Sequence, residues 1–184
     1  MRTVFFCLVS LIMISMTASA QTSTPKSIED YYYLLPQDYF LCDEADFTDS
    51  RDARKKAIIL SDISNGYLTA KTANGTLYVV MFKDKTAKVD HIALYLNCGL
   101  GCMCNVFDFL NYNAESGWTP ASGIMPWEEI EKYLVMRDQK YSTETFPIYT
   151  LPQYGTTIKA RDAADDSPLF DLKWSGQKFQ MVLY

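Results

Sequence analysis

The chain has 184 residues and a formal net charge of −5, from 17 Lys and Arg against 22 Asp and Glu, with a single histidine. That balance argues against nucleic acid or an anionic membrane as partner, since both are gripped by clustered cations that displace counterions. The length suits one domain with a proper hydrophobic core.

The first twenty residues, MRTVFFCLVSLIMISMTASA, point to an exported protein. Arg2 supplies a short positive region, and Val4 to Met16 form an apolar run too short to span a bilayer. Ala18, Ser19 and Ala20 then make a small-residue cleavage signal. Cleavage after Ala20 removes twenty of the 184 residues and leaves 164. It also removes Arg2, which takes the net charge from −5 to −6. Cys7 leaves with the signal, and no later apolar run is long enough to cross a membrane. The expected location is the periplasm or the medium.

Residues 21–26 read as a flexible polar leader, and residues 27–184 as a single β-rich domain. SIEDYYYLLP predicts a short helix, with Ser27 and Asp30 in reciprocal capping positions and Pro36 ending the run. Asp49 to Leu60 predicts a second helix, with Asp49 and Asp52 at its start and Lys55 and Lys56 further along. Strands follow at YLTAKT and TLYVVMFK, separated by Asn74-Gly75, the strongest hairpin signal in the chain. VDHIALYLN and MCNVFDFLNYN are the next two, joined through a cysteine-rich turn. PWEEIEKYL predicts a short helix with Trp127, Ile130 and Leu134 on one face. FPIYTL, TTIKAR, LFDLKW and KFQMVLY close the chain as four more strands. The expected fold is therefore mainly β, with eight short antiparallel strands in two groups of four, as a sandwich or half-open barrel. Two or three short helices accompany them, and an α+β arrangement is the alternative. VFDFLNYNAESGW (106–118) and LFDLKWSGQKF (169–179) echo one another as outgoing strand, turn and returning aromatic.

Three of the five cysteines lie within NCGLGCMCN, residues 97–105. A three-residue hairpin loop at Gly99-Leu100-Gly101 would set Cys98 opposite Cys102, within disulfide reach. The same register pairs Leu96 with Cys104, Leu94 with Val106 and His91 with Phe109. Cys102 and Cys104 sit about 6.7 Å apart along one strand with parallel side chains, which disfavours a bond between them. The preferred pairs are Cys98–Cys102 and Cys42–Cys104, among the three that four cysteines allow. A zinc site would ordinarily show two cysteine knuckles, and a redox site a C-x-x-C at a helix start; the chain has neither.

Little else reads as chemistry. His91 is mid-strand, with Asp90 on the opposite face, so it lacks the neighbours of a catalytic base. The acidic stretches CDEADFTDSRD and RDAADDSP miss the calcium-loop spacing, although Asp162, Asp165 and Asp166 remain weak calcium candidates. Tyr31, Tyr32, Tyr33 and Tyr39 crowd one segment. One or two of the triplet face the core, and the remainder are candidates to stack on a ligand. Asn74-Gly75-Thr76 is an N-glycosylation sequon placed in a predicted turn. An outer-membrane barrel fails because Lys178 and Gln180 share the face of Tyr184 and most strands are too short.

YYYLLPQDYF, NCGLGCMCN and LPQYGTTIKARD…LFDLKWSGQKF together resemble small exported proteins of Gram-negative bacteria to which no activity is assigned. The resemblance implies a periplasmic or secreted location and brings no site. The expected function is a non-catalytic, disulfide-stapled module that binds another protein or a cell-envelope component, without a cofactor. A carbohydrate- or calcium-binding module is the alternative, and a carboxylate-based hydrolase is the weakest. The staple is testable by intact mass of protein purified from an oxidising compartment. The denatured chain should be lighter than its reduced form by four hydrogens, with no metal on the native protein. Free thiols accompanied by a bound zinc ion would overturn it.

Overall fold

The structure, a computed structural model, describes residues 25–40, 50–72, 75–97 and 106–184. The export signal, all five cysteines, Asn74 of the sequon and the acidic residues 43–49 lie outside the described residues.

The described residues are mainly β, as expected, with ten strands in two antiparallel sheets. The larger has the order β1 (Ile58–Asp62), β2 (Tyr67–Lys71), β3 (Thr76–Asp84), β4 (Val89–Asn97), β5 (Phe107–Asn113) and β6 (Gly117–Pro120). The smaller is a meander of β7 (Pro147–Thr150), β8 (Thr157–Asp162), β9 (Pro168–Trp174) and β10 (Phe179–Leu183). The two groups are thus six and four rather than four and four, the added strands being β1 and β6. The sequence echo falls on two edge hairpins, β5–β6 and β9–β10. Their returning aromatics pair back as foreseen, Trp118 with Tyr112 and Phe179 with Trp174.

Helix α1 (Ile28–Leu34) is set by the expected capping box. The Asp30 N–H donates to Ser27 Oγ at 3.2 Å, and the Ser27 N–H donates to Asp30 Oδ2 at 3.1 Å. Pro25, expected in the flexible leader, is buried, and the Lys26 N–H donates to Asp30 Oδ2 at 3.0 Å. The second helix is shorter than expected. Ser50 caps α2 (Arg51–Ala57), and the chain then turns at Ile58 into β1, where the β-branched pair Ile58-Ile59 suits a strand better than a helix. Helix α3 (Trp127–Tyr141) runs past the expected Leu134 to Ser142, which takes a left-handed conformation (φ 55°). Of its proposed inner face, Ile130 is buried while Trp127 is 48% exposed.

The six-stranded sheet is covered on both faces. Ile92, Leu94 and Leu96 of β4 pack with Ile28, Tyr32 and Phe40 of the N-terminal segment. Ala93 and Tyr95, on the opposite face, pack with Ile158, Phe170, Leu172 and Phe179 of the smaller sheet. Aromatic rings dominate this second layer: Phe107 stacks on Tyr149 at 4.0 Å, and Phe82 meets Phe179 edge-on at 4.9 Å.

The register between β4 and β5 differs from expectation by two residues. Leu94 lies opposite Asp108 rather than Val106, and His91 opposite Asn111 rather than Phe109. A shift of two keeps every side chain on its expected face, so the burial pattern alone does not distinguish the two registers.

Arg54 of α2 fastens the N-terminal layer. It is buried, and its Nη1 donates to the carbonyls of Tyr32 (3.3 Å), Tyr33 (3.2 Å) and Leu35 (2.7 Å) while the guanidinium lies 4.2 Å over the Phe40 ring. A cation thereby adds hydrogen bonds to the carbonyls at the negative end of α1, where the Tyr32 carbonyl also accepts from the Leu35 N–H. Arg54→Met keeps much of the volume but strands those carbonyls, and urea unfolding should show a loss of at least about 2 kcal/mol. Arg51→Met, which removes an exposed cation from the Tyr33 ring, should cost less than about 0.5 kcal/mol. Equal effects would refute the capping role of Arg54.

Candidate interaction surface

Tyr31 and Tyr32 are both buried, so the triplet sends two rings inward and neither is free to stack on a ligand. Tyr32 donates its hydroxyl to the Arg54 carbonyl at 3.0 Å. Tyr31 lies between Tyr112 and Trp118 and donates to Asp90 Oδ2 at 2.9 Å. Asp90 thus faces the helical layer, across the sheet from His91 as the strand alternation required. Tyr33 and Tyr39 are half-buried; Arg51 covers the Tyr33 ring at 4.4 Å, and Tyr39 donates to Asp108 Oδ2 at 3.2 Å. All four candidate stacking rings are therefore engaged by the protein itself.

The candidate calcium residues are engaged too. Asp162 is buried, with one oxygen 3.3 Å from Arg137 Nη2 and the other accepting from the Ala164 N–H at 3.0 Å. Asp166 pairs with Arg161 at 2.9 Å, and Asp165 accepts from the Ser167 N–H at 2.9 Å; the Ser167 side chain first, and then that N–H, hold its carboxyl below the usual range. The carboxylates point to separate partners instead of converging. Among the described residues no group of three or more His, Cys, Asp or Glu is placed to hold a metal. A cleft of about 590 Å³ opens here between the end of α3 and the β8–β9 turn, with the Arg137–Asp162 pair in its wall. Sequence reasoning missed Arg137 because it stopped the helix at Leu134. The absence of Gly and Pro from Trp127 to Tyr141 was the available signal.

His91 is buried, with Nδ1 2.6 Å from Asn111 Oδ1 and its ring edge-on to Trp174 at 5.4 Å. It is a packed member of the inter-sheet layer, and its neighbours are aromatic rings, not a nucleophile.

Two sheet edges expose apolar side chains: β1, at Ile59 (61%) and Leu60 (41%), and β10. Phe179 is buried, but Val182, Leu183 and Tyr184 are 40%, 54% and 70% exposed. The Phe179 N–H points away from β9 and donates to the Ile124 carbonyl at 2.7 Å. By strand alternation the N–H and C=O groups of Met181 and Leu183 point the same way, along an edge with a neighbour on one side only. Beside it, between the 123–126 segment, Glu129 and residues 178–181, lies a cleft of about 350 Å³. The other three sheet edges are blunted: β6 ends at Pro120, β7 begins at Pro147, and β1 is broken by an irregular register between Ile58 and Leu60. β10 carries no Pro, no bulge and, from Phe179 to Tyr184, no charged side chain. That neutral run was visible in the sequence, but its place at an open edge was not.

Comparison of the chain with protein-family models, with curated proteins and with solved structures gives no match. Among the described residues no helix is long and apolar enough to cross a membrane.

The engaged tyrosines set an alkaline limit on stability. Burial, and then the bonded Asp90, raise the Tyr31 hydroxyl well above its ordinary value, while burial and the Asp108 charge push Tyr39 up to about 12. A hydroxyl whose folded pKa is raised contributes stability that is complete below its unfolded pKa and is lost as pH rises through the folded one. The urea midpoint should therefore fall between about pH 10 and pH 12, with tyrosinate absorbance appearing as the protein unfolds. Tyr31→Phe should flatten that fall; a fall of unchanged slope would show that Tyr31 ionises freely in the folded state.

Proposed function

We propose that the protein is a non-catalytic, exported binding module of the cell envelope that engages its partner through the open edge of the four-stranded sheet. The observation that carries this reading is the β10 edge: an uncharged strand with outward-pointing backbone groups at Met181 and Leu183 and exposed apolar side chains. A partner's extended segment added there gains main-chain hydrogen bonds along the strand and apolar contacts on both of its faces. Export rests on residues 1–20 and the resemblance to exported Gram-negative proteins. The disulfide staple rests on the four cysteines that follow the signal. The engagement of the tyrosines and of the 162–166 carboxylates by internal partners supports a protein-binding edge over a sugar or calcium site.

A photo-reactive amino acid at position 182, tested in cells that export the protein, should give adducts of discrete mass. The same group at Lys159, exposed on the outer face away from the edge, should give none. No adduct at 182, or equal adducts at both positions, would remove the β10 edge as the binding surface.

A further inference from the structure

We infer that the strand added to β10 is the β10 of a second copy of this chain, related by a two-fold axis through Val182. This rests on the reading of β10 as the binding edge and names its occupant. The outward groups of an antiparallel edge lie on alternate residues, here Met181 and Leu183. Two copies placed antiparallel about Val182 bring Met181 of each opposite Leu183 of the other, so that these residues exchange both N–H···O bonds. Val182 then faces Val182, and Gln180 faces Tyr184. A strand whose outward residues sit symmetrically about a central one is complementary to itself in this way.

The side chains agree with that register on both faces. On the inner face, cross-strand pairing builds the row Tyr149, Ala160, Phe170, Leu183, which stops at a leucine 54% exposed. A second copy continues it with Met181, Leu172 and Ile158, so the apolar row runs unbroken across the junction. On the outer face, the row Thr150, Lys159, Asp171, Val182 places its charges away from the edge and an uncharged valine at it. Two acidic chains repel at long range, and the uncharged side chains of this strand let them approach without opposing charged side chains at the contact. The Ile124 carbonyl already occupies the edge at Phe179, which confines the pairing to residues 180–184. So short a contact buries less than the roughly 1,200–2,000 Å² of a tight complex, so association should be reversible in the micromolar range.

The test is mass in solution, by light scattering or sedimentation, on the purified protein from about 1 µM to about 1 mM. The wild-type mass should rise from that of one chain to that of two, with the Met181 and Leu183 amides gaining exchange protection as it does. Val182→Lys should hold the protein at the mass of one chain at every concentration. Val182→Glu should do the same, because each sets like charges face to face. An equimolar mixture of the two variants should recover the doubled mass, a result that requires position 182 of each copy to lie close to position 182 of the other. Val182 is on the outer face, so far-UV circular dichroism should show both variants folded.

A wild-type protein of single-chain mass throughout overturns the inference. If position 182 still cross-links to a different protein in cells, the edge reading survives with another occupant. A doubled mass that the variants do not change overturns the inference by placing the self-contact elsewhere, and the edge reading then stands or falls on the cross-link at position 182.

Discussion

The six-stranded sheet is apolar on both faces, and that constraint organises the molecule. β4 is the centre of it: Ile92, Leu94 and Leu96 point one way, His91, Ala93 and Tyr95 the other, and all six are buried. An antiparallel sheet more often leaves one face to water. Here each face needs a cover, and the chain supplies two different ones. The N-terminal segment covers one face with Ile28, Tyr31, Tyr32, Leu35 and Phe40. The second sheet and α3 cover the other. Each cover buries several large side chains, and losing either would expose a continuous apolar surface.

The two covers are fastened by different physics. The N-terminal one is short, so it depends on specific polar ties at its rim: the Arg54 guanidinium on three carbonyls, Tyr31 on Asp90, and the Trp118 indole N–H on the Leu34 carbonyl at 2.8 Å. The second sheet is held mainly by rings meeting rings, from Tyr95 and Phe107 through Tyr149 to Phe170, and from Phe82 through Trp174 to Phe179. This division explains how the tyrosines of the 31–39 segment and the carboxylates of the 162–166 turn come to be engaged within the protein. Tyrosines at the rim of a layer turn their hydroxyls to Asp90 and Asp108, and the carboxylates of the 162–166 turn are spent on Arg137, Arg161 and the turn's own amides.

What could be read from sequence was local or periodic. The Ser27–Asp30 box, the hairpin at Asn74-Gly75 and the paired echo at 106–118 and 169–179 are set by neighbours a few residues apart, and the structure has α1 and the hairpins where those signals put them. β1 was hidden because Ile58, Ile59 and Leu60 follow a helix without Gly or Pro, and only pairing with β2 makes them a strand. The β4–β5 register was misread by two because side-chain alternation has period two and is blind to that shift. Arg54 carried no local sign at all: its partners lie 19 to 22 residues earlier and reach it only through the tertiary fold. The open edge was equally non-local, since a neutral strand is unremarkable until its place in a sheet is known.

Two meandering sheets have four edges, and every edge is an invitation to pair with another chain. Prolines and a bulge close three of them here, so the exposure of the fourth is selective. An edge that accepts any strand risks endless addition, but an edge that pairs with its own copy is consumed in doing so. The geometry of the four-stranded sheet meets that condition. Joining two copies at β10 leaves β7 at both outer ends, where Pro147 lacks an N–H to donate. Ile124 shortens the usable edge from the other side by holding Phe179. The contact is thereby limited in length, specific in register and closed after one partner, which is what separates a binding edge from an aggregating one.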